Sequence, residues 1–206
     1  GMVIDARTTA ADALDIFRRL LDHCKAAGFS RLQYKPVPHI YHRLPAEEDL
    51  HALFLCNAQL CRSDLSGTIA LQDFDGFAKS KRAGLKAADK AGVIVSESRD
   101  FASFWAMLVE RLAGRHGAAP THSLAEIELL ASRFPQEIKL FVATLQSELC
   151  AGIVVFDCGN TVHTQYISSS ESGREVCAID AIVAHLVHRA YKDRRWLDFG
   201  ISTVNQ

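Results

Sequence analysis

The residues best able to do chemistry fall between Thr161 and Tyr191, with Asp198 close behind. The run "TVHTQYIS" carries His163, Gln165 and Tyr166 in an extended segment. A histidine placed on a strand can orient an acceptor amine, or take its proton through water. It can equally be a polar residue on a half-exposed face. Period-2 alternation puts His163 and Gln165 on one face and Tyr166 on the other. The next stretch, "SSESGREVCA", is small, polar and flexible, and a strongly apolar helix follows it. A loop of that kind suits an anion. The first amides of a helix lack intrahelical partners and lie at the positive end of its dipole. Ser170, Gly173, Arg174, Glu175, Val176 and Ala178 line the turn. Gly173 would allow close backbone approach and Arg174 would add charge. An ordinary solvated loop with a serine cap fits the same residues. Asp198, in "RWLDFGIS", can attract a protonated amine or bond a neighbouring amide.

Other constellations are thinner. Cys177 lies near a helix start, where a thiolate nucleophile with His163 or His185 as base is one reading and a buried thiol the other. His185 and His188 are three residues apart, but no further ligands stand at useful spacing, so no metal is expected. Lys79, Lys81, Arg82, Lys86 and Lys90 make one helix basic. That pattern is a solvated face or a contact for phosphates. There is no Walker A motif and no GxGxxG after a strand.

The elements that must position these residues are legible in outline. With 206 residues, 49% of them apolar, the chain can bury a substantial core. A net charge of −1 argues against a general nucleic-acid or membrane-surface binder, and no apolar run reaches the ~18 residues of a membrane span. Six cysteines without a CxxC pair point to cytoplasmic thiols. Helices are expected over 12–27, 45–60, 100–113 and 178–191. The first should stop at Gly28 and the basic one at Gly92. Ser123 with Glu126 forms a capping box for another. From Val93 the order reads β, α, α, β, β, β, α, β. The three middle strands are antiparallel through short loops, and the last runs parallel after its helix. The fold class is therefore α/β (α+β), a mixed, mostly antiparallel sheet flanked by helices.

That order, carried by "LQYKPVPHIYH", "KRAGLKAADKAGVIV", "PTHSLAEIELLASRFP", "IKLFVAT", "AGIVVF", "VHTQYIS" and "WLDFGIS", resembles the GNAT acyltransferase fold. More narrowly it resembles the FemAB-like branch, whose members carry two such units in tandem. The resemblance implies a tail portion of a first unit over 1–74, and over 75–206 a second unit without its C-terminal helix and strands. It implies transfer of an acyl (acetyl) group from acetyl-CoA or another acyl-CoA to a small-molecule or peptide amine. The pantetheine arm would enter between the splayed fourth and fifth GNAT strands, beside Ile167 and Ser168. The pyrophosphate would sit on the Ser170–Ala178 turn. The usual Gln/Arg-x-x-Gly-x-Gly/Ala fingerprint is not matched by "ESGREVCA". Some relatives use aminoacyl-tRNA as donor, and a non-catalytic scaffold is a third reading.

Four expectations follow from these readings. A Gly173→Val variant should block the anion and spare the fold. With His163 and Asp198 in the site, Tyr166 or Ser202 would supply a proton. The edge near Leu197–Ile201 should be uncovered, favouring a homodimer. Catalysis should be weak.

Overall fold

The computed structural model describes residues 1–201, with the backbone alone at 115 and 116. The chain divides into two compact units, Gly1–Asp64 and the residues from Leu65 onward.

The first unit is built on helices α1 (Ala10–Ala26) and α2 (Glu48–Leu55). Thr9 and Asp12 close a reciprocal capping box at the start of α1. The helix α2 is shorter than its apolar pattern suggests. It starts three residues after Pro45, and no side chain caps it. Phe17 packs edge-on against Tyr34 at 5.1 Å, and Ala13 and Ala52 complete the small core. The Tyr34 hydroxyl donates to Asp49 (2.7 Å), and burial beside that carboxylate pushes its pKa up to about 12.

The second unit is a six-stranded sheet in the order β1-β6-β5-β4-β3-β2. Its strands are β1 (Ser66–Ala70), β2 (Ile94–Ser98), β3 (Ile138–Leu145), β4 (Glu148–Asp157), β5 (Thr161–Ser169) and β6 (Trp196–Ile201). The pairs from β2 to β5 are antiparallel, and β5 runs parallel to β6, as the short loops and the helical crossover require. The edge expected at β6 is covered. β1 pairs with it in antiparallel register from Thr68↔Asp198 to Ala70↔Trp196. An uncovered β6 edge was the ground for expecting pairing between copies, and that ground is removed. The strand Ser66–Ala70 therefore belongs to this sheet, although local sequence cannot show which partner a short strand takes.

Helices cover both faces. On one face, α3 (Lys79–Ala91) and α7 (Ala178–His185) enclose Phe141, Ile153, Val162, Ile182, Leu186 and Leu197. On the other, α4 (Phe101–His116) and α5 (Leu124–Arg133) enclose Phe104, Trp105, Leu140, Val154 and Tyr166. The expected stop of α3 at Gly92 and the Ser123–Glu126 capping box of α5 are both present. The expected helix over 178–191 is present to Ala190, with a change of winding. A short helix α6 (Glu171–Glu175) precedes it, and α7 widens into a π-turn over Leu186–Ala190 before Tyr191. The break between α6 and α7 falls at Cys177, whose φ of 57° takes it out of helical geometry.

The α4 face is packed to contact at Gly152 of β4, where an added Cβ would stand 2.4 Å from a ring carbon of Phe104. Gly152→Ala should therefore cost about 1–3 kcal/mol through overpacking. In a chain of this size that lowers the melting temperature by several degrees, read by circular dichroism. An unchanged transition would show that Phe104 moves aside freely.

Candidate active site

The two central parallel strands part company at one point. β5 and β6 pair only through Thr161↔Trp196, Val162↔Leu197 and His163↔Asp198. Each strand carries a bulge immediately beyond. On β5 the register jumps from Val155↔Thr164 to Val154↔Tyr166, so Gln165 is the extra residue. On β6 two steps of β1 oppose three of β6 between Asp198 and Ile201, and Gly200 takes up a φ of 76°. A bulge bends its strand, and a left-handed glycine is the usual residue there. The strands thus open from a vertex at His163 and Asp198, where Thr164 Oγ1 donates to the Asp198 carbonyl at 3.3 Å.

The β5 bulge also changes which side chains share a face. His163 lies across from Phe156 and Tyr166 from Val154, and both strand partners belong to the α4–α5 face. His163 and Tyr166 therefore point the same way, contrary to plain alternation, because the extra residue resets the period.

At the vertex Asp198 is 4% exposed and surrounded by donors. His163 Nδ1 lies 3.0 Å from Oδ2. Oδ1 accepts from the Ser66 hydroxyl, the Gly200 N–H (3.0 Å) and, at longer range, Thr68 Oγ1 (3.4 Å). A buried carboxylate is tolerable only when so satisfied. Because a carboxylate can only accept, His163 donates from Nδ1, and the neutral ring carries its lone pair on Nε2. The imidazole side chain is 25% exposed, so water and substrate can reach it. A Cβ on Gly200 would come within 3.1 Å of His163 Cε1, so the ring is held between Asp198 and bare backbone.

The other residues singled out from sequence are placed as follows. Tyr166 is 9% exposed, with its ring edge-on to Trp105 at 4.9 Å. Its hydroxyl accepts the His122 N–H (3.2 Å) and sits 2.6 Å from His122 Nδ1, which ties β5 to the α4–α5 connection. Ser202 lies outside the described residues. Along the open side of β5, Ile167 is exposed, and the buried Ser168 Oγ has no hydrogen-bond partner among the described residues. The Ser170 hydroxyl caps α6. It accepts the Gly173 N–H (3.1 Å) and lies 3.1 Å from the Cys150 carbonyl. The side chain of Ala178 is buried and that of Val176 packs on the core, so only their backbones can face a ligand. Arg174 and Glu175 are exposed, and Arg174 makes a loose pair with Glu171 at 3.7 Å.

Gly173 corrects an expectation. A Cβ there would stand 2.1 Å from the Cys150 carbonyl oxygen. The glycine is needed for the close approach of α6 to β4, so Gly173→Val damages the fold and cannot report on a ligand alone. Cys177 packs beside Gly84 of α3, where an added Cβ would lie 3.3 Å from its Sγ. His185 and His188 are drawn to different partners. His185 rests on Phe141, and burial, with Arg189 nearby, lowers its pKa. His188 sits against the Phe74–Phe77 pair. Among the described residues no group of three or more potential metal ligands exists.

Sequence reasoning missed Ser66 and Thr68. They stand 132 and 130 residues before Asp198, and nothing local marks them as its partners.

A mixed sheet opened between a parallel pair, with a helix following the open strand, defines an acyltransferase-type α/β unit of the GNAT class. Residues 76–204 match the family model of the acetyltransferase (GNAT) domain, and the chain belongs to that family. No curated protein sequence matches it. Among solved structures, FemX aligns over all of this chain at 12% identity and a TM-score of 0.71, and 72% of FemX is covered. The C-terminal DUF2156 domain of a proposed lysylphosphatidylglycerol synthetase from Agrobacterium fabrum aligns over 93% of this chain, at 10% identity and a TM-score of 0.68. L-PGS from Bacillus licheniformis aligns over 92%, at 13% identity and a TM-score of 0.66. The chain spans 61% and 58% of those two proteins. The shared fold agrees with the FemAB-like resemblance. No helix among the described residues is long and apolar enough to cross a membrane.

The placement of Tyr166 predicts a structural phenotype. Tyr166→Phe should cost about 1 kcal/mol of stability, the worth of a typical net hydrogen bond. It should also loosen the start of α5, seen as faster amide exchange at His122. Unchanged exchange there would contradict the tie.

Proposed function

We propose that this protein transfers an acyl group from an acyl-CoA to a primary amine at the opening between β5 and β6. The observation that carries the reading is the vertex itself. Two strands part directly beyond a buried Asp198 paired with a half-buried His163, in a chain of the GNAT family. The residues along the opening fit a thioester donor. Ile167 offers apolar surface, Ser168 a hydroxyl with no partner among the described residues, and the exposed Arg174 a charge in the last turn of α6. The amides of Glu171 and Ser172 remain for an anion, whereas that of Gly173 is taken by Ser170.

The chemistry needs one proton carrier. The amine nitrogen attacks the acyl carbonyl carbon, a C–N bond forms, and the C–S bond breaks. His163 Nε2 takes the proton the amine loses and returns it to the departing thiolate, so the products are an amide and a free thiol. Asp198 keeps the ring in the accepting tautomer and faces the imidazolium that forms transiently. The six cysteines are free thiols, and the proposed setting is the cytoplasm.

An aminoacyl-tRNA donor is the second reading. The fold is shared with FemX and with a protein whose name denotes synthesis of a lysylated lipid. On α3, Lys79, Lys81, Arg82, Lys86 and Lys90 are all exposed, a face that attracts phosphates. Of these, Lys81 is bonded to Asp180 at 2.8 Å.

Calorimetric titration with acetyl-CoA, free CoA and a longer acyl-CoA tests the first reading, with a charged tRNA as the contrasting donor. Saturable CoA binding is expected. Turnover with simple amines should fall about a hundredfold or more in His163→Gln, the usual worth of a general base. Binding of the tRNA alone would transfer the proposal to the second donor. Full activity in His163→Gln would remove the histidine from the reaction.

A further inference from the structure

We propose that Ser66 is a positioning residue for His163, acting through Asp198, so that the site is completed by a strand lying ahead of the family-matched region. The consequence for rate rests on the acyl-transfer reading; the consequence for the histidine ring does not.

The Asp198 carboxylate divides its two oxygens between different tasks. Among the described residues Oδ1 accepts from two strands: the Ser66 hydroxyl and Thr68 Oγ1 of β1, and the Gly200 N–H of β6. Oδ2 faces His163 Nδ1 at 3.0 Å. The terminal torsion of an aspartate is soft, with broad, roughly two-fold preferences. Donors gathered on one oxygen stop that rotation and leave the other oxygen aimed at the imidazole. The ring then has one tautomer available, with hydrogen on Nδ1 and the lone pair on Nε2. On its other side the ring meets Gly200, whose φ of 76° and missing side chain leave space for Cε1. His163 is thus held by β1 and β6 together, as partners outside a first coordination or hydrogen-bonding layer often hold functional imidazoles.

Ser66 and Thr68 are the members of this set that the family match does not contain, since the match begins at residue 76, and Ser66 makes the shorter of the two bonds. Its hydroxyl reaches Asp198 only because β1 pairs with β6. A unit cut at the start of the matched region would keep His163, Asp198 and the Gly200 N–H and lose both β1 hydroxyls that orient the carboxylate.

The test is long-range 1H–15N NMR of the whole chain with 15N-labelled histidine, which reports the tautomer of His163 directly. Parent protein should show hydrogen on Nδ1. Ser66→Ala should show a mixture of tautomers, and Ser66→Thr, which restores a hydroxyl, should return the parent spectrum. Asp198→Asn should invert the tautomer. The Gly200 N–H can only donate, so it holds the amide oxygen at the Oδ1 position and turns the NH2 toward Nδ1, which must then accept. In the acyl-transfer assay, Ser66→Ala should lower kcat about tenfold with KM unchanged, and Ser66→Thr should recover it. Parent protein with hydrogen on Nε2, or Ser66→Ala with the parent spectrum, would overturn the proposal. If Ser66→Ala unfolds, Ser66→Val, which also lacks the hydroxyl but favours a strand, takes its place, and a parent spectrum there would overturn the proposal. Parent-like tautomers in Asp198→Asn would overturn it. The expected spectra without turnover on any amine would reject the acyl-transfer reading and leave the positioning role standing.

Discussion

The burial of one carboxylate organises the second unit. Asp198 lies at the last paired position of a parallel strand pair, almost without solvent, and a charge there is tolerable only if protein donors replace water. Those donors come from three strands: His163 from β5, Ser66 and Thr68 from β1, and Gly200 from β6 itself. Three long-range features must coincide for them to meet. β1 must cover β6, β6 must be parallel to β5, and β6 must bend immediately after the aspartate. The chemistry proposed at His163 and the architecture of the sheet therefore depend on the same contacts.

The opening between the strands follows from the same geometry. A parallel pair normally continues its even ladder of hydrogen bonds, yet here the ladder stops at three residue pairs. Bulges on both strands supply the reason. Gln165 is extra on β5, and the stretch through Gly200 is extra on β6. Each strand turns toward its outer neighbour, with which pairing resumes after the bulge, and among the described residues the β5–β6 ladder does not continue. Tyr166 steadies the bent strand from beyond the bulge by its bonds to His122.

The loop after β5 shows how a residue pattern can be explained by packing before any ligand is invoked. Ser170, Gly173 and Cys150 form a local arrangement in which a hydroxyl caps a one-and-a-half-turn helix and a glycine lets that helix touch β4. This accounts for the small residues. The amides that remain at Glu171 and Ser172, with Arg174 beside them, are what a donor's phosphates would meet under the proposed function.

The sequence alone determined whatever depends on residues close together along the chain. The capping box Ser123–Glu126, the stop at Gly92, the antiparallel run through short loops and the parallel return after a helix all follow from local caps, period and loop length. His163 and Asp198 were visible as candidates because their residue types are rare on strands and chemically capable. Tertiary structure alone decided their meeting, the serine that holds the aspartate, and the face on which Tyr166 lies. A single inserted residue at Gln165 reverses side-chain direction beyond it, and nothing in "TVHTQYIS" marks the insertion. A five-residue strand such as β1 carries no local label for its partner. Ser66 therefore becomes functional only through pairing with a strand 132 residues further along the chain.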